Sequence, residues 1–203
     1  MYQYAKLNEY IDRDLTEGLV YEWTNSTEQI HDRYSDEEIK TLWSKLYEIN
    51  NVDIILIMIY TGLRPTELLE IQTENVHLDE KYMVGGMKTE AGKERIIPLN
   101  DKIIPLVKNR YDANKKYLIN NKFGNHYTYG TYMNGNFNTC MGKLKMKHLP
   151  HDGRHTFASL MDSAGANDIC IKLIMGHSMK NDTTKGTYTH KTLEELLTEV
   201  NKI

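Results

Sequence analysis

A chain of 203 residues is long enough for one domain with its own core. With 40% hydrophobic and 26% charged residues, and a longest apolar run at 52–60 broken by Asp53, it reads as globular, with no segment able to span a bilayer. The formal net charge of −3 counts against a nucleic-acid partner without excluding one, because the distribution of charge matters more than its sum.

Residues 1–30 carry Tyr4, Leu7, Tyr10 and Ile11 at helical spacing, and the pattern then breaks at Gly18 and Thr24-Asn25-Ser26-Thr27. A short helix and a linker are expected, too small for a core and so the end of a preceding domain or an arm that packs on a neighbour. The first residues show no charged-then-apolar signal pattern, so nothing points to secretion and a cytoplasmic chain is expected. Ser35-Asp36-Glu37-Glu38 is a capping box opening a helix whose stripe is Ile39, Leu42, Trp43, Leu46 and Tyr47. Residues 52–60 are apolar nearly all round and predict a central helix ending at Thr61-Gly62. Pro65 suits the first turn of a helix over 66–71, which places Arg64 at a tight junction between two helices.

From 76 to 99 the period turns toward strands, with Tyr82-Met83-Val84 and Arg95-Ile96-Ile97 flanking a turn at Glu90-Ala91-Gly92-Lys93 and Lys88 near the hairpin end. Asn100 is a candidate cap for another helix, in which Pro105 is tolerable only early. Tyr132, Met133, Phe137, Cys140, Met141 and Leu144 make one further helix face. Helices are predicted over 151–163, ended by Gly165, and over 169–175, ended by Gly176. Leu193, Leu196, Leu197 and Val200 form an amphipathic C-terminal helix. The fold class is therefore mainly α with a small antiparallel β-sheet. Cys140 and Cys170 lie among apolar neighbours outside any CxxC and read as core thiols. Between Lys143 and His155 stand three lysines, Arg154 and three histidines against one acid, Asp152, so one basic face is expected.

Arg64, Lys88, His151 with Arg154, His177 and Tyr188 follow one another in an order that suits phosphodiester transfer. Planar guanidinium groups neutralise non-bridging oxygens bidentately, a role for Arg64 and Arg154. Tyr188 is the candidate nucleophile; a free phenol has a pKa of ~10, so it needs nearby positive charge or a base. His151 is the candidate base, Lys88 the candidate acid for the departing 5′-oxygen, and His177 a donor to the same oxygens. Glu67 is placed to orient Arg64. The chemistry asks for no metal or other cofactor.

Thr61-Gly62-Leu63-Arg64-Pro65-Thr66-Glu67-Leu68-Leu69 resembles the first-arginine motif of the tyrosine recombinases, the phage-type integrases. His151-Asp152-Gly153-Arg154-His155-Thr156-Phe157-Ala158 is similar to their HxxR box, and Ile174-Met175-Gly176-His177-Ser178 to their LGH box. Thr187-Tyr188-Thr189-His190 resembles the nucleophile segment, and Met87-Lys88-Thr89 with Arg95-Ile96-Ile97-Pro98-Leu99 the hairpin that carries the catalytic lysine. The resemblance implies the tyrosine recombinase catalytic-domain fold over 31–203, mainly α with a small three-stranded antiparallel β-sheet, with 1–30 as the end of a core-binding domain and its linker. It implies cleavage of double-stranded DNA through a 3′-phosphotyrosine, strand exchange by the freed 5′-hydroxyl, and a homo-tetramer on paired sites formed from monomers. An excisionase or DNA-bending protein would be an accessory partner. Gly153 stands where the family usually has leucine, which is expected to loosen that helix start, and the interval from His177 to Tyr188 is longer than is commonest, by Asn181-Asp182.

Each member also has a plainer reading: Arg64 as a surface charge, Lys88 as a solvated turn lysine beside Lys93, His177 as a helix-end histidine, His151 with His155 as a metal pair lacking a third ligand, and Asp152 as a helix-start carboxylate only. At the level of the whole protein, the alternatives to integration are dimer resolution by the same chemistry, DNA relaxation, and a DNA-binding regulator without catalysis.

Overall fold

The structure, a computed structural model, describes Tyr10 and residues 32–86, 94–121, 123–177 and 191–203. The elements below belong to the unit His31–Ile203. The short helix expected within 1–30 lies outside the described residues.

α1 (Asp36–Ser44) opens on the expected capping box, with Ser35 Oγ accepting from Glu38 N–H and Glu38 accepting from Ser35 N–H. It ends earlier than its stripe suggests. Leu46 and Tyr47 fall in the turns beyond it, and Tyr47 is left 86% exposed. α2 (Val52–Thr61) is the central helix, buried on every side except at Asp53, whose carboxylate is held by Arg110. Gly62 ends it with φ +65, a left-handed conformation that glycine reaches without a Cβ penalty. α3 (Pro65–Leu69) follows at once, with Arg64 as its N-cap.

A 3₁₀ turn (Thr73–Asn75) leads into β1 (Val76–His77), β2 (Tyr82–Gly85) and β3 (Arg95–Pro98), an antiparallel sheet in the order β1-β2-β3. Met83 pairs with Ile97 and Gly85 with Arg95. α4 (Ile104–Arg110) carries Pro105 in its first turn, but its N-cap is Ile103 and not Asn100. The Asn100 side chain is committed elsewhere: Oδ1 accepts from Lys102 N–H, and Nδ2 donates to the carbonyls of Val200 and Ile203 at 2.7 and 3.0 Å.

The single helix face expected over 132–144 is three pieces. α5 (Tyr129–Thr131) passes through a π-helical stretch (Tyr132–Phe137) into α6 (Asn138–Leu144). The wider turn lets Tyr132 and Phe137, five residues apart, both reach the core, where an α-helix would splay them.

α7 (Asp152–Ser163) packs along α2, and α8 (Asp168–Met175) packs on β3. α9 (Leu193–Val200) covers β3 and α8 with Leu196 and Val200, which join Phe157, Met161, Cys170 and Ile174 in a second small core. The mainly helical fold with a three-stranded antiparallel sheet is thus as expected. Cys140 and Cys170 are buried free thiols, and burial pushes Cys140 up to about 11. No helix among the described residues is long and apolar enough to cross a membrane.

Gly153 does not loosen α7. It is buried at the crossing with α2, and a Cβ there would stand 3.1 Å from Met58 Cβ, so the missing side chain is what lets the two helices approach. Asp152 is more than a helix-start charge. Its buried carboxylate accepts from Leu149 N–H at 2.8 Å and lies 3.3 Å from His148 Nδ1, while His148 Nε2 lies 3.2 Å from Glu38.

Candidate active site

Four of the residues singled out in the sequence come together where the ends of α2, α3, α7 and α8 meet the start of β3. The arrangement is built on Glu67, which is only 2% exposed. Its carboxylate accepts from the Arg64 backbone N–H at 3.0 Å and from Arg64 Nη1 at 2.9 Å. From the sheet side, Arg95 Nη2 donates to Oε2 at 2.9 Å and Nη1 to Oε1 at 3.4 Å. Burial pushes the Glu67 carboxyl up, but the hydrogen bonds and charge of Arg95, then of Arg64, prevail and hold it below the usual carboxylate range.

Arg154, in the first turn of α7, is fixed by the backbone of two neighbouring elements. Nη1 donates to the Gly62 carbonyl at 2.7 Å and Nη2 to the Met175 carbonyl at 2.8 Å. Both acceptors sit at helix C-terminal ends, where the last carbonyls lack intrahelical partners and carry partial negative charge. Burial, then Arg64, push the Arg154 guanidinium down to about 10, with Glu67 opposing and Arg95 adding to the effect.

His177 follows the left-handed Gly176 that ends α8, and its Nε2 lies 2.8 Å from Arg154 Nη2. A guanidinium only donates, so Nε2 accepts and the ring proton is assigned to Nδ1. Partial burial, then the charges of Arg154, Arg64, Arg95 and Lys172, hold this imidazole below its ordinary range, which keeps it neutral at neutral pH. His177 therefore keeps an Nδ1–H donor beside the two arginines.

His151 is the N-cap of α7, half-buried, three residues before Arg154 and on the same helical face. Its ring centroid is 5.7 Å from that of His155, and no group of three metal-ligating side chains occurs among the described residues. Lys88 and Tyr188, with the longer interval before Tyr188, lie outside the described residues.

Arg95 is the member that the motifs did not select. Its signal was present in the alternation of β3: Arg95 shares a face with Ile97, which is fully buried, while Ile96 between them is 39% exposed. A charge pointing to the buried face of a strand requires a partner, and Glu67 is that partner.

The sequence places the chain in an enzyme class that cleaves and rejoins DNA strands. Residues 28–195 match the model of the Phage integrase family, and the chain belongs to that family, the tyrosine recombinases. A tyrosine recombinase of Thermosipho africanus is 25% identical over 98% of this chain and 74% of its own length. XerA of Saccharolobus solfataricus is 32% identical over 72% of this chain and 47% of its own. The transposase of transposon Tn916 from Enterococcus faecalis is 27% identical over 75% of this chain and 45% of its own. The chain thus spans about half the length of the latter two relatives. Among solved structures, the Tn1549 transposon integrase in complex with circular intermediate DNA superposes with a TM-score of 0.66 at 21% identity, covering 97% of this chain and 73% of that one. The XerA recombinase does so at 0.61 and 22%, covering 82% and 64%. At these identities the superpositions speak for the fold alone.

Proposed function

We propose that residues 31–203 are the catalytic domain of a site-specific DNA recombinase, the integrase of a mobile element, with 1–30 as the end of a core-binding domain and its linker. The observation that carries the reading is the cluster itself: three guanidinium groups, from Arg64, Arg95 and Arg154, stand around one buried carboxylate. The positive excess suits a phosphodiester anion, and a protein with a net charge of −3 would otherwise have little reason to concentrate it there.

In the proposed reaction Arg64 and Arg154 hold the non-bridging oxygens of one phosphate in duplex DNA, with His177 Nδ1–H donating to the same group. The Tyr188 oxygen attacks phosphorus as His151 takes the phenolic proton. The 5′-oxygen leaves with a proton from Lys88, giving a 3′-phosphotyrosine and a free 5′-hydroxyl. A 5′-hydroxyl from the partner duplex then attacks the phosphotyrosine, giving its proton to Lys88, and the departing phenolate takes the proton back from His151. The ester bond energy is kept throughout, so the step needs no nucleotide and no other cofactor. Exchange requires two duplexes and hence a homo-tetramer assembled from monomers on paired sites. An excisionase or DNA-bending protein would set direction, and the cytoplasm is the natural place for the reaction.

The test is covalent capture. A nicked suicide duplex, selected from a randomised library by covalent attachment to the protein, should give an adduct that survives denaturation. Tyr188→Phe should abolish it; an adduct formed by that variant would overturn the nucleophile assignment. A second reading, resolution of chromosome dimers, draws on the likeness to XerA and XerC proteins at 32% and 30% identity. Captured sequences that match the ends of an integrated element favour integration, whereas a single chromosomal site of dyad symmetry favours resolution.

A further inference from the structure

Arg95 has a different environment from Arg64, one of the two arginines proposed to grip phosphate. Its side chain is 6% exposed, against 25% for Arg64. Its fork faces both oxygens of Glu67, and Nε donates to the Ile174 carbonyl at 2.8 Å, so one guanidinium joins β3, α3 and the last turn of α8. Ile174 lies three residues before His177, and Glu67 is the group that holds Arg64. Arg95 also forms the last described pair of the β2–β3 ladder, opposite Gly85, and Lys88 lies in the sequence between those two residues.

We propose that Arg95 is a positioning residue of the strand-cleavage site, which sets the placement of Arg64 through Glu67 and of His177 through the end of α8. The proposal rests on the recombinase reading above. Arg64 is a long, partly exposed side chain bonded through one terminal nitrogen, so its direction is only as fixed as the carboxylate it holds. Without Arg95, Glu67 would be a buried charge held only by the Arg64 backbone N–H and one mobile side chain. The desolvated, two-point contact from Arg95 removes that freedom. Lysine cannot replace it, because one ammonium cannot meet both Glu67 oxygens and the Ile174 carbonyl from a single position. The groups facing Glu67 are Arg64 from α3, Arg95 from β3 and Arg154 from α7, so losing Arg95 leaves a buried carboxyl with fewer cations to hold its proton off.

The experiment compares Arg95→Met, Arg95→Lys, Glu67→Gln and the Arg95→Met/Glu67→Gln double variant of the full chain, with Tyr188→Phe as control, in single-turnover cleavage of the captured nicked duplex. Both Arg95 variants should lose on the order of 10²-fold in rate at saturating DNA, as expected when a phosphate-gripping group is displaced by about an ångström, with no change in the DNA concentration for half-saturation. In Arg95→Met the acid limb of the pH–rate profile should move to higher pH, and in the double variant this shift should vanish. A wild-type rate in either Arg95 variant would overturn the proposal. So would a rate lost only in proportion to the unfolded fraction with an unmoved pH profile, which is the mark of a purely structural residue. If Arg95→Met does not fold, Arg95→Lys, which keeps the charge, decides. Failure of the wild-type chain to form any covalent adduct would instead sink the recombinase reading and this proposal with it, and it is read from the wild-type arm alone.

Discussion

Arg154→Met separates what this guanidinium does for the fold from what it does for the site. The side chain is buried, and burial, then Arg64, hold its pKa at about 10. Measured from the ordinary guanidinium range, that depression is a penalty of about 3 kcal/mol on the folded state while Arg154 is charged. The folded chain gives up this proton at lower pH than the unfolded chain, so stability climbs only above pH of about 10, and at neutral pH the penalty stands in full. Against it stand the bonds to the carbonyls of Gly62 and Met175. Leaving two buried acceptors unmet costs about 1–3 kcal/mol each. The opposing effects leave a net loss of about 1 kcal/mol, or a fall in Tm of about 2–4 °C for a domain of this size. Cleavage should suffer far more, on the order of 10²–10³-fold, because in the proposed reaction the lost charge would face the transition state. Thermal melts with and without the nicked duplex, beside single-turnover cleavage, give both quantities. The wild type should also gain more Tm from DNA than the variant does. A Tm loss beyond about 10 °C would make Arg154 chiefly a structural staple, and cleavage at the wild-type rate would refute its place in the site.

Gly62→Ala puts a Cβ 2.4 Å from Phe157 Cδ1 at a residue with φ +65; left-handed strain and overpacking together should cost about 3 kcal/mol, and a chemical denaturation midpoint equal to wild type would contradict this. Asn100→Ala removes the side-chain bonds to Val200 and Ile203 and should speed amide hydrogen exchange in α9 while leaving α2 unchanged; unaltered protection of α9 would mean that Leu196 and Val200 hold the helix by themselves. His177 should titrate below the ordinary imidazole range in an NMR pH series. Its unfolded state then binds the proton first on acidification, so its contribution to stability falls as pH drops below about 6.5. A midpoint at or above that value would show that the arginines do not bear on it.

The helix ends, and the motifs that bring Arg64, Glu67, Arg154 and His177 together, are legible in the sequence because their signals are local. Ser35 with Glu38, Gly62 before Arg64-Pro65, and Gly176 before His177 mark chain reversals by residue type, and each of those reversals is where the sequence placed it. Four features depend on packing that local sequence does not encode. Tyr47 fits a helical stripe, yet α1 stops at Ser44 and leaves it in solvent. The π-helical turn follows from where Tyr132 and Phe137 must pack, which their own spacing misstates. Asn100 looks like a cap, but its partners are 100 and 103 residues away. Gly153 reads as a weak helix start until Met58 is seen against it.

Arg95 combines both kinds of information, and it explains how an acidic chain can build a cationic site. Net charge governs the field at a distance, whereas the site depends on which charges are desolvated together. Glu67 alone would be a costly buried carboxylate, and Arg95 and Arg154 would be costly buried cations. Assembled, the carboxylate offsets part of the repulsion among the three guanidinium groups and fixes their directions, yet it is one negative charge against three positive ones. The depressed pKa of Arg154 reflects burial first, and then that imbalance, through Arg64 and Arg95. A phosphodiester placed among Arg64, Arg154 and His177 would remove much of it. The groups whose mutual repulsion is unfavourable are therefore those that would hold an anion most strongly, and Glu67 with Arg95 fixes their directions.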